Sequence, residues 1–189
     1  MNIGPYQDDA IAGNLFPSSI LPILVILCFM LYPESSQFSL IIGSIGIAIV
    51  LGIAFYAKIK KWQYYVGIRS GIIAIYIDLS GLFIALLILR VYQSLLSTIF
   101  SVSLVAIVIY LAHKYYETII SELYSPKSKL GKLVLFIGLA GGGIGAGLGY
   151  WSVNLLGVHL VLPFLFILFL ILIAIFHANF HQAAFSKGQ

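Results

Sequence analysis

Few side chains in this chain of 189 residues can do chemistry, since only 8% of it is charged and it holds four histidines and one cysteine. The sharpest of them is Asp78, which lies inside a long apolar run. A carboxylate at membrane depth is costly, and it reads first as a functional group that needs a partner. Tyr76 and Ser80 stand beside it on the same run, and a chain reversal near Gln93 brings Tyr110 to a similar depth. Asp78, Tyr76, Ser80 and Tyr110 are therefore the expected intramembrane polar site, suited to taking up a proton or coordinating an ion. The competing role for Asp78 is a neutral, hydrogen-bonded acid that fixes helix packing, because burial favours the uncharged form.

The histidines are the second candidates. His177 and His181 are four residues apart and share a helix face if the last apolar helix continues that far. His113 closes another apolar run, expected to end on the same side. Imidazoles at equal depth on two helices, His113 and His177, have the chemistry of axial haem b ligands, and the 177/181 pair that of a divalent metal site. No acidic ligand accompanies the pair, and a histidine at a helix C-terminus also complements the helix dipole. No cofactor is predicted, with haem b as the alternative these residues allow.

Other chemistries are excluded more simply. A lone cysteine, Cys28, makes neither an intrachain disulfide nor a CxxC redox pair. The glycine run from Gly141 to Gly149 lacks the GK[ST] ending of a phosphate loop, and no GxSxG or HExxH occurs. The chain is not expected to be a catalyst by itself.

The elements that must position these residues follow from composition. The chain is 61% hydrophobic, with mean hydropathy +1.09, whereas soluble domains carry roughly 25% charged residues. The reading is all-α: a polytopic bundle of six transmembrane helices, spanning about 15–32, 38–57, 71–91, 96–112, 132–151 and 159–176, arranged as three hairpins in one membrane domain. An amphipathic stretch around Ile119, Ile120, Leu123 and Tyr124 is expected to continue the fourth helix or to form a short surface helix. Lys58, Lys60, Lys61, Arg69, Lys114, Lys127, Lys129, Lys132 and Lys187 fall on one side of such a bundle and Arg90 alone on the other. That asymmetry predicts both termini in the cytoplasm, in the plasma (cytoplasmic) membrane. It also explains the net charge of +4 without a nucleic-acid partner.

Span 132–151 carries Gly138, Gly141, Gly142, Gly145 and Gly149, several of them four apart, which lets another helix backbone approach closely. Ser44, Ala48 and Gly52 form a similar stripe on the second span. The function expected first is an integral subunit of a larger membrane complex, acting through helix packing. Its partners would be the lipid bilayer and other membrane subunits or further copies of itself. The alternatives are a small permease or channel using Asp78, and a b-haem electron-transfer subunit.

Overall fold

The computed structural model describes residues 15–124, 132 and 157–185, and among these every regular element is helical, with no strand. In chain order the helices are α1 (Phe16–Leu31), α2 (Gln37–Ile59), a 3-10 turn (Trp62–Tyr64), α3 (Val66–Tyr92), α4 (Leu95–Lys114), α5 (Tyr116–Tyr124) and α6 (Val158–Phe185). Four of them, α2, α3, α4 and α6, are long and apolar enough to cross a membrane, and α1 is apolar but shorter, at 16 residues. The sequence expectation of an all-helical membrane protein therefore stands at this level.

Helix boundaries follow local chemistry. Ser36 and Ser39 make a reciprocal capping box at the start of α2, and the Ser39 hydroxyl also donates to Met30 O at 3.1 Å, which ties α2 back to α1. Gln93 ends α3 in the left-handed region at φ 50°, and the Ser94 hydroxyl accepts from Ser97 N–H at 3.3 Å to begin α4. Two residues thus suffice to reverse the chain.

The central helix is α3. Of its most apolar window 61% is buried, against 22–28% for α2, α4 and α6, so among these four described helices it is the one enclosed on most sides. It runs antiparallel to α6: Gly67 lies on Ala183 and Ala184, Gly71 on Phe180, Gly81 on Ile173, and Tyr92 on His159. A Cβ at Gly67 would sit 3.5 Å from Ala183 O, so the two backbones meet closely there. Helix α4 lies parallel to α6, with His113 against His177 and His181 at one end and Ser101 near Phe166 at the other. One end of the bundle therefore gathers the start of α1, the ends of α2, α4 and α6, and the start of α3. Lys58, Lys60, Lys61, Arg69 and Lys114 lie at that end. Arg90 lies at the other, its guanidinium donating to the carbonyls of Phe29 and Glu34.

Two helices extend beyond the expected spans, and one small-residue stripe faces outward. Helix α3 begins at Val66 rather than near residue 71, so Arg69 is helical and not in a loop. Helix α6 continues to Phe185, nine residues past the expected end at 176. The apolar run stops there, but the helix does not, because its last turns still pack on the glycines at the start of α3. The Ser44, Ala48 and Gly52 stripe is exposed, and a Cβ at Gly52 would meet no atom within 4 Å. The close-packing glycines of α2 are Gly43 and Gly46, filled by Met30 and Phe83. Tyr115 breaks the helical path after α4, so the amphipathic stretch is a separate helix, α5. Gly138, Gly141, Gly142, Gly145 and Gly149, and with them the expected span 132–151 beyond Lys132, lie outside the described residues.

Candidate functional site

Four polar side chains from three helices form one chain of contacts. Asp78 comes from the middle of α3, and His177 from α6 faces it, with Nε2 lying 3.0 Å from both carboxylate oxygens. The other nitrogen of that ring, Nδ1, is 3.0 Å from His113 Nε2 on α4. His113 Nδ1 is in turn 3.0 Å from His181 Nδ1, one turn further along α6. The order is His181, His113, His177, Asp78, with each of the two middle rings bonded through both nitrogens.

Local structure explains why these residues meet. The four-residue spacing of His177 and His181 puts both on one face of α6, and continuation of α6 to Phe185 keeps that face helical. His113 sits in the last turn of α4, whose end packs against this part of α6, and bridges the two. Apolar and aromatic groups wall the cluster. Phe180 lies edge-on to His113 with centroids 6.1 Å apart, and Phe185 stands 5.1 Å from the His181 ring. Tyr116 of α5 lies over His181 at 4.3 Å with the rings tilted by 33°.

The His177 side chain is 10% exposed and that of Asp78 23%, while His113, His181 and Tyr116 are half-buried and Glu117 is exposed. The Tyr116 hydroxyl donates to Glu117 Oε1 at 3.0 Å. That bond, with smaller contributions from desolvation and the carboxylate charge, holds the phenol above its ordinary value, so it remains neutral at physiological pH.

The structure divides the polar site read from sequence. Tyr76 is fully buried, but its hydroxyl donates to Val50 O at 3.1 Å, and Ser80 donates to Tyr76 O at 2.8 Å. Both hydroxyls serve the backbone. Tyr110 is 62% exposed, on the same outer face of α4 as Leu96, Phe100 and Ile107, and Lys114 rests over its ring. It is not brought to Asp78. The partner is His177, which the sequence reading had assigned to a separate site. A signal was present: Asp78 is the one acid inside an apolar run, and His177 is the first polar residue after another.

The histidines do not fit a haem. Axial ligation puts an iron between two imidazole nitrogens, about 4 Å apart at the roughly 2.0 Å metal–nitrogen distance usual for this ligand. His113 and His177 instead touch each other at 3.0 Å. Among the described residues no group of three or more His, Cys, Asp or Glu converges to hold a metal ion.

No family model matches the chain, and neither a curated protein nor a solved structure is similar to it. Among the described residues the fold is all-helical, and four long apolar helices can cross a membrane.

Proposed function

We propose that the protein is a small membrane permease or channel in which Asp78 takes up and releases a proton. The observation that carries this reading is the contact of Asp78 with His177 at 3.0 Å, continued through two further imidazoles toward the end of the bundle. Histidine is the side chain whose ordinary protonation equilibrium lies closest to neutral pH, so a row of three is suited to moving protons there. An acid held only to fix packing needs one partner and no such row.

The membrane orientation belongs to the same proposal. Five basic residues at the His181 end against Arg90 at the other support a cytoplasmic location for that end, and with it cytoplasmic termini and a plasma-membrane setting. The complex-subunit reading rests on glycines outside the described residues and on apolar faces that lipid also covers, so the relay takes precedence over it.

The test is infrared difference spectroscopy of the protein in lipid bilayers across a pH titration. A carboxylic-acid carbonyl band should grow as pH falls and be missing in Asp78→Asn. A spectrum unchanged by that substitution sinks the proposal.

A further inference from the structure

We infer that His181, His113 and His177 form a one-ended proton path linking Asp78 to the membrane face that carries Lys58, Lys60, Lys61, Arg69 and Lys114. The inference rests on the reading of Asp78 as a protonation site and adds the route, its direction and its dead end.

Hydrogen-bond bookkeeping fixes the direction. An ionised carboxylate only accepts, so His177 must carry its proton on Nε2 and donate it to Asp78. A neutral His177 then accepts at Nδ1, which requires His113 to donate from Nε2. A neutral His113 accepts at Nδ1 in turn, which requires His181 to donate from Nδ1. With the carboxylate ionised and all three rings neutral, one tautomer assignment satisfies all the contacts, and it leaves His181 Nε2 as the open acceptor at the outer end. That assignment is a loaded wire.

The transfer balances. A proton from water binds His181 Nε2, and the Nδ1 proton of that ring passes to His113 Nδ1. The Nε2 proton of His113 passes to His177 Nδ1, and that of His177 passes to Asp78. One proton enters and one carboxylate becomes an acid, while every imidazole ends neutral in the opposite tautomer. The reverse sequence releases the proton to the same face.

The surroundings fit an entrance at one end. Tyr116 of α5 lies with its ring over His181 and its hydroxyl on Glu117, whereas Lys114 at the end of α4 turns outward over Tyr110 and Tyr115. Glu117 draws protons toward the mouth, and the Tyr116 ring covers one face of His181. Beyond Asp78 the seam between α3 and α6 is hydrocarbon. From residue 160 to 176 α6 has no polar side chain, a length of about 25 Å at 1.5 Å per residue. Gly81, Ile84 and Ile88 of α3 face it, with Ile173, Phe169 and Phe166 buried opposite. The hydroxyls of Thr98 and Ser101 nearby on α4 are bonded to their own helix backbone. Among the described residues, therefore, a proton that reaches Asp78 goes no further in this conformation. That is a loading site of a coupled permease rather than a channel.

Two measurements test it on the full chain in vesicles. Nitrogen-15 solid-state NMR of histidine-labelled protein at neutral pH should find the ring proton on Nδ1 of His181 and on Nε2 of His113 and His177. Any other assignment breaks the wire, and no variant is needed to see it. In a pH jump applied outside the vesicles, the acid band of Asp78 should rise quickly only in molecules whose C-terminal tag is open to added protease. His181→Phe and His113→Gln should slow that rise at least about tenfold, the low end of what a positioned proton-transfer group contributes, and leave its final extent unchanged. Equal rates from both faces, or rates unaffected by both variants, overturn the path while leaving Asp78 as the proton site. Absence of any Asp78 band in the unaltered protein instead overturns the proposed function beneath it.

Discussion

Removing His177 should strand Asp78, and the size of the penalty can be worked out beforehand. His177 Nε2–H is shared between two oxygens at 3.0 Å, so it counts as one charge-assisted hydrogen bond, about 1.5–3 kcal/mol. Breaking a fully buried charged pair from one side costs about 3–5 kcal/mol, mostly because the remaining charge is left without a partner. The Asp78 side chain keeps 23% of its surface exposed, so His177→Leu should destabilise the protein by about 3 kcal/mol, the low end of that range. Asp78→Leu leaves only an imidazole N–H unpaired, at about 1–3 kcal/mol. The double variant should cost less than the sum of the singles by at least about 2 kcal/mol, since an apolar pair can replace a buried polar one at little cost. Reversible unfolding in mixed micelles, followed by helical circular dichroism, measures all four corners. Additivity within about 0.5 kcal/mol, the usual result for independent sites, would refute the pairing.

Other substitutions separate packing from the relay. Gly46→Leu should destabilise by about 1–3 kcal/mol or more, because even its Cβ would lie 2.5 Å from Phe83 Cζ. Gly52→Leu, with open space around it, should stay within about 0.5 kcal/mol; the same micelle unfolding assay reads both. Tyr76→Phe loses its bond to Val50 O and should cost about 1 kcal/mol without altering the Asp78 infrared band, and Tyr110→Phe should change neither. Arg90→Ala frees the carbonyls of Phe29 and Glu34 and should cost about 2–3 kcal/mol in thermal unfolding. Arg90→Lys should recover part of that, because one ammonium is a poor substitute for a planar fork reaching two carbonyls.

Hydropathy reports the all-helical membrane class directly, together with the four long apolar helices among the described residues. Asp78 stands out without any structure, since it is a carboxylate within an apolar run. Sequence reasoning failed on the partner for a geometric reason. Depth can be counted from a turn, and the count put Tyr110 near Asp78, but depth does not say which face of α4 a residue takes. Tyr110 faces outward. Hydropathy marks where apolar surface stops, whereas α6 continues through Phe185 on its packing against α3. Those further turns hold His177 and His181.

The same four residues could have formed a metal site or a wire, and the choice between them is geometric. A metal needs ligands that converge, each offering one lone pair to a common point at about 2.0 Å. A wire needs rings that do not converge, each touching a neighbour through both nitrogens. His113 is the deciding residue, since Nδ1 meets His181 and Nε2 meets His177, on opposite sides of one ring. Both lone-pair positions are occupied by other imidazoles, so ligating a metal through either nitrogen would break the chain. Replacing His113 with glutamine keeps a side chain with a donor and an acceptor, but these belong to a single amide group and cannot exchange roles when a proton arrives. The contacts would survive while the transfer would not. His113→Gln should thus retain most of the stability of the parent and lose the fast proton rise, a combination that a purely structural histidine would not produce.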